Sequence, residues 1–166
     1  TPRDRDAGRT SGRSQEIQRL IGRALRSVTD LEALGERTVQ VDCDVLEADG
    51  GTRTAAITGA YVALHQAMSM LVKRGILSRL PLHGTVAAIS VGIMGEELLL
   101  DLCYEEDFRA QADFNVVLTD LGEMVELQGA TEAAPFSRQR VEQVLALAGR
   151  GIEPLFRAQR EAIRKL

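Results

Sequence analysis

Apolar residues recur early in the chain at Ile17, Leu20, Ile21, Ala24, Leu25, Val28 and Leu31. That i, i+3, i+4, i+7 spacing predicts one buried helix face. Ser14 is a candidate N-cap, and Glu16 sits in the first turn, where an acid suits the unpaired N–H groups. The period then changes. Over residues 38–45, Val39, Val41, Cys43 and Val45 alternate with Gln40, Asp42 and Asp44, which predicts a half-buried strand. After Asp49-Gly50-Gly51-Thr52-Arg53 the pattern is apolar almost all round over 54–72. That predicts a long helix held between layers and ended by Gly75.

Residues 85–93 and 98–104 predict a hairpin around Met94-Gly95-Glu96-Glu97. An acidic stretch runs from Glu105 to Asp113, and residues 114–119 and 123–128 predict a second hairpin around Asp120-Leu121-Gly122. Ser137 caps a further helix with Val141, Val144, Leu145 and Ala148 inward. Gly149 and Gly151 break it, and Ile152, Leu155, Phe156 and Ile163 mark a last helix. The order is helix, strand, helix, two antiparallel hairpins, two helices. This is an α+β, or mixed α/β, arrangement. Residues 1–166 read as one domain, with 1–12 as a flexible Arg-rich arm.

Composition narrows the class. The 166 residues are 45% hydrophobic and 27% charged, the make-up of a soluble folded domain that needs no disulfide or structural metal. No apolar run approaches the roughly 18 residues that span a bilayer, so no membrane partner is expected. The polar start is not a secretory signal. Cys43 and Cys103 sit in apolar, strand-like runs without zinc spacing and read as reduced core thiols, which implies a cytoplasmic protein. The chain begins with Thr1 and not Met, as a piece of a longer polypeptide would.

The charge is unevenly placed. Net charge is −4, yet residues 1–26 hold seven Arg against three acids, +4, leaving −8 on the other 140 residues. Eighteen of the 20 bases are Arg. A forked guanidinium grips phosphate oxygens bidentately, so a local Arg cluster suits a phosphate or nucleic-acid ligand. A GC-rich genome explains the ratio of Arg to Lys equally well, but not the clustering.

Three places could carry chemistry. Gly50 and Gly51 let backbone approach a ligand closely; the helix start that follows offers unpaired N–H groups, Thr52 a hydroxyl and Arg53 a guanidinium. This is an anion cradle or a plain turn before a helix; neither the Gly-x4-Gly-Lys-Ser/Thr nor the Gly-x-Gly-x-x-Gly motif is present. Arg13, beside the first helix start, meets an anion there or is simply solvated. Asp107 and Asp113, with Glu105, Glu106 and Asp101 near in sequence, form a carboxylate pair suited to Mg²⁺ or a solvated acidic loop. Two carboxylates about 4 Å apart repel by roughly 4 kcal/mol at an effective dielectric of 20, which a divalent cation relieves. His65 is expected to pack in the apolar helix, and the sequence places no Ser or Cys partner for it or for His83.

These segments resemble one family, ribonuclease PH, the phosphate-dependent exoribonucleases that trim precursor tRNA 3′ ends. The resemblance is carried by Ser11-Gly12-Arg13-Ser14-Gln15-Glu16-Ile17, Asp42-Cys43-Asp44-Val45-Leu46-Glu47-Ala48-Asp49-Gly50-Gly51-Thr52-Arg53, Ser90-Val91-Gly92-Ile93, Asp101-Leu102-Cys103-Tyr104-Glu105-Glu106-Asp107, Asp113-Phe114-Asn115-Val116-Val117, Gln128-Gly129 and Pro135-Phe136-Ser137. It covers the chain from Arg9 onward.

The resemblance implies that Arg13, Gly51, Thr52 and Arg53 bind inorganic phosphate as co-substrate. It implies that Asp107 and Asp113 serve metal binding, with Mg²⁺, and catalysis. It places Arg3, Arg5 and Arg9 in a tRNA-binding region and implies a homo-oligomeric ring of dimers, a hexamer. The implied fold has two layers of sheet with packed helices. The family carries further strands ahead of its Pro-Arg segment, missing from this chain, and the stretch between Arg3 and Arg9 is shorter here. A fragment or a truncated relative is therefore expected. The alternative readings are a non-catalytic ring subunit and an exosome-type subunit of RNA decay; retention of Arg13, Arg53, Asp107 and Asp113 favours the enzyme.

Overall fold

The computed structural model describes residues 12–131 and 134–165. The elements are α1 (Gly12–Arg26), α2 (Leu31–Leu34), α3 (Thr52–Lys73), β1 (Val86–Met94), β2 (Glu97–Leu100), α4 (Tyr104–Arg109), β3 (Ala112–Thr119), β4 (Met124–Thr131) and α5 (Arg138–Arg164). The strands form one antiparallel sheet of four, in the order β2-β1-β3-β4. Both hairpins expected from the sequence are present, and β1 and β3 join them.

β1 and β3 are buried along almost their whole length because both sheet faces are covered. On one face Ile89, Val91, Ile93, Phe114, Val116 and Leu118 pack against Val144, Ala148, Ile152 and Phe156 of α5. On the other, Val86, Ala88 and Val117 meet Leu20, Ala24 and Leu25 of α1 and Ile57, Tyr61, Leu64 and Met68 of α3. The layers are therefore helix, sheet, helix, with a single sheet among the described residues. The two-layer arrangement of sheets expected above is corrected accordingly. Gln159 of α5 joins the two helical layers: its Nε2 donates to the carbonyls of Thr58 in α3 and Val86 in β1, at 2.8 and 3.0 Å.

Several boundaries differ from the sequence reading. α1 starts at Gly12, so Ser14 is inside the helix and is not its cap. Residues 38–45 are not a strand: they are largely exposed and outside the sheet, although Val41 touches the α1–α3 core. Alternation only offers a strand; neighbouring backbone must pair with its N–H and C=O groups, and none of the four strands pairs with this segment. Cys43 accordingly is exposed rather than in the core. Its sulfur still rests near the Ala56 carbonyl, and local burial, reinforced by Asp42, pushes the thiol pKa up. Cys103 is partly buried.

Gly149 and Gly151 do not break α5, which runs unbroken for 27 residues. Gly151 is there for contact: a Cβ would lie 2.7 Å from both Leu100 methyls and 2.8 Å from Ile89 Cδ1. Burial of the apolar stripe outweighs the roughly 1 kcal/mol that a glycine costs inside a helix. α3 is long and apolar enough, by length and composition, to cross a membrane, contrary to the count of continuous apolar residues. It packs instead on the sheet and α1 through Ile57, Ala60, Tyr61, Leu64 and Met68.

Candidate active site

The glycine turn before α3 is built for close approach. Gly51 has φ +63°, a left-handed conformation that costs glycine nothing, and it precedes α3 without a side-chain cap. The Ala55 N–H already donates to the Gly51 carbonyl at 2.9 Å, and the Thr54 hydroxyl donates to it at 2.8 Å. Ahead of Ala55, the N–H groups of Thr52, Arg53 and Thr54 precede the first intrahelical bond and form the donor end of a 22-residue helix.

Gly50 fixes what lies opposite. A Cβ on it would fall 1.8 Å from the Leu102 carbonyl oxygen. The turn is thus pressed on the backbone leading into α4. Asp49 completes the strap: its Oδ1 accepts from the Tyr104 N–H at 2.7 Å, at the first residue of α4. A side chain at Gly51 would sit 3.5 Å from Asp101 Oδ1 and 3.6 Å from Ser90 Oγ. Ser90 in turn holds the strand exit, its carbonyl accepting from the Asp101 N–H at 2.8 Å and its hydroxyl from the Leu102 N–H at 3.1 Å.

The acidic stretch 105–113 is a short helix and the start of a strand, not a loop. Asp107 lies exposed on α4, and Asp113 lies half-buried on β3. Asp113 pairs across the sheet with Gly92, and Leu102 packs over Gly92 on that face, within 3 Å of where a Cβ would stand. Cross-strand partners project to the same side, so Asp113 shares its face with Ser90, Asn115 and Gln128. Ser90, Asn115 and Gln128 form a polar row across the middle of β1, β3 and β4, with Ser90 beside the α3 start.

Arg53 reaches α1, where its Nη1 stands 3.3 Å from Glu16 Oε1. Both side chains are partly exposed, so the pair adds little stability but sets direction. Arg13 is exposed on α1, one helical turn before Glu16. The turn that carries Gly51, Thr52 and Arg53 is thus joined to the α4 approach through Gly50 and Asp49, and Arg53 is joined to α1 through Glu16; Arg13 stands on that same helix, one turn before Glu16. Arg3, Arg5 and Arg9 lie outside the described residues. Among the described residues no cluster of three or more His, Cys, Asp or Glu could hold a metal ion, and Asp107 and Asp113 stand on separate elements, α4 and β3.

The sequence reading assigned no role to Asp49, Glu16, Ser90, Asn115 or Gln128. Ser90 and Asn115 carried a usable signal: each is a buried polar residue in the middle of an apolar strand run. A cleft of about 280 Å³ opens between α1 and β4. A larger, shallower hollow on the outer face of α5 contains none of these residues.

Two family models match the chain. The model described as 3′ exoribonuclease family, domain 1, matches residues 1–70, and that of domain 2 matches residues 84–151. Proteins named ribonuclease PH from two strains of Dehalococcoides mccartyi are each 56% identical over 160 residues, 96% of this chain and 66% of theirs. One from a third strain is 56% identical over 164 residues, 69% of its length. The chain belongs to the ribonuclease PH family. It spans about two thirds of the length of these ribonuclease PH relatives. The ribonuclease PH-like fold is shared with the rice (Oryza sativa) Rrp46 structure, at TM-score 0.67 and 15% identity over 94% of this chain and 68% of that one. An archaeal exosome core structure matches at TM-score 0.65 and 19% identity, over 90% and 63%. At those identities the likeness concerns fold alone.

Proposed function

We propose that the chain carries the active site of a phosphate-dependent 3′-to-5′ exoribonuclease that trims tRNA precursor 3′ ends in the cytoplasm and releases nucleoside 5′-diphosphates. The single observation that carries this is the strap. Gly50 against Leu102, with Asp49 on Tyr104, packs the α3 helix start against the segment leading to Asp107 and beside the strand end bearing Asp113. Family membership points to the same chemistry.

In this reading Arg13, Arg53, Thr52 and the Gly51 backbone hold inorganic phosphate. One of its oxygens attacks the phosphorus of the terminal phosphodiester in line. The bond from that phosphorus to the preceding 3′ oxygen breaks, the leaving 3′ oxygen takes a proton from Asp107 or Asp113, and the terminal nucleotide departs as its diphosphate. Positioning and charge stabilisation supply most of the rate. Two carboxylates fit Mg²⁺, which keeps several waters and takes few protein ligands. Bound at Asp107 and Asp113, Mg²⁺ would supply charge neutralisation. The chain acts as one folded unit, stitched by Gln159, within a homo-oligomeric ring of dimers that forms a hexamer, and Arg3, Arg5 and Arg9 contact the tRNA backbone.

The test is release from a 3′-extended tRNA with and without phosphate, the products separated by chromatography. Nucleoside diphosphates should form only with phosphate. A charge-assisted contact is worth about 1.5–3 kcal/mol, so Arg53→Ala should raise the phosphate KM roughly 10- to 100-fold with tRNA affinity little changed. Monophosphates released in plain buffer would make the protein a hydrolase, and equal loss of phosphate and tRNA binding would remove Arg53 from the phosphate site.

A further inference from the structure

The cleft between α1 and β4 is separate from the residues assigned above, yet it touches them through Glu16, the partner of Arg53. Its α1 wall is one helix face, Gly12, Gln15, Glu16, Arg19 and Arg23; its β4 wall is Gln128. The charges are nearly all spoken for. Glu16 pairs with Arg53, and Arg23 Nε stands 3.4 Å from Glu126 Oε2. Arg19 has no carboxylate partner among the described residues, so the cleft keeps one uncompensated guanidinium. Arg19 is also exposed and off the buried stripe of α1, so its charge is not needed for packing.

Gln128 is oriented by a group that can only accept. Its Nε2 donates to Glu126 Oε1 at 3.0 Å, and the Glu126 side chain is only 9% exposed. An ionised carboxylate has no donor to offer, so the amide NH₂ must face it. The Gln128 carbonyl oxygen is left as an acceptor at the cleft wall.

A cation, an outward acceptor and a volume near that of one nucleotide belong together. We propose that this cleft holds one nucleotide of the single-stranded RNA upstream of the scissile bond, its phosphodiester on Arg19 and a ribose hydroxyl or base N–H on Gln128. This rests on the phosphorolytic reading of the neighbouring corner and adds an RNA subsite to it. Phosphate contacts position a strand, and an acceptor for a sugar hydroxyl is one way a site prefers RNA to DNA.

The experiment is fluorescence anisotropy of a 5′-labelled single-stranded oligoribonucleotide against a salt series, without phosphate or divalent metal. It is paired with the phosphate-dependent release assay. Arg19→Ala should weaken RNA binding about tenfold and flatten the plot of log affinity against log salt by about 0.7, the share of one single-strand phosphate. Arg19→Lys should retain the slope, and the exposed Arg164→Ala at the end of α5 should behave as wild type, excluding a bulk charge effect. The KM for RNA should rise in Arg19→Ala while that for phosphate stays. Wild-type binding and slope in Arg19→Ala, or a loss matched by Arg164→Ala, would overturn the subsite while normal diphosphate release kept the phosphorolytic reading. A wild-type chain that releases no diphosphate would remove that reading, and the subsite with it.

Discussion

The two faces of the sheet are built from the same strands but differ in what they can lose. Towards α5 every inward position on β1 and β3 is apolar, from Ile89 to Leu118. Towards α1 and α3 the face is apolar only at one end, at Val86, Ala88 and Val117. From the middle of the strands onward it becomes Ser90, Asn115, Gln128 and Asp113. A buried polar row costs stability unless each group finds a partner. The α5 face supplies the surplus that lets the opposite face stay polar where the α3 helix start and α4 meet. Stability and chemistry are separated by the thickness of one strand.

Neighbouring residues on β3 give the sharpest way to break that comparison. Asp113→Asn should lower phosphorolysis by about a hundredfold or more, the range expected for losing an acid–base group, with a near wild-type melting temperature. Comparable turnover in the variant would place the chemistry elsewhere. Phe114 points the other way, 2% exposed with its ring centroid 4.9 Å from that of Phe136. Phe114→Ala should cost about 3–5 kcal/mol in urea unfolding. A cost below about 1 kcal/mol would mean the α5 face is not the stabilising one.

The smallest effect concerns His65 on α3, whose imidazole is held below its ordinary pKa by partial burial. A base with a depressed folded pKa binds protons less readily than the unfolded chain does. Its contribution therefore turns against folding as pH falls below roughly 6.5. His65→Gln should shrink the drop in melting temperature between pH 7.5 and pH 5.5. An unchanged drop would assign the acid sensitivity to other groups.

Periodicity made α1, α3 and both hairpins legible, because each is amphipathic or uniformly apolar over many residues. It misread residues 38–45, where alternation was present but none of the described strands pairs with the segment. It also misread Gly149 and Gly151, where packing against Leu100 and Ile89 overrides a local preference. The six-residue α4 buries nothing, so the acidic run Glu105-Glu106-Asp107 carried no hydrophobic period to find. Of the candidate site, the residue types were readable and their connections were not. Nothing local in the sequence says that Gly50 lies on the Leu102 carbonyl, 52 positions later, or that Glu16 will join Arg53.

That α4 buries no residue of its own has a further meaning. With little anchoring in either core, it depends on Asp49 at its first N–H and on a glycine pressed against the residues before it. An anion that steadies the turn therefore steadies the acid-bearing helix too, and a turn that melts releases both. Order in the turn is inherited by the helix.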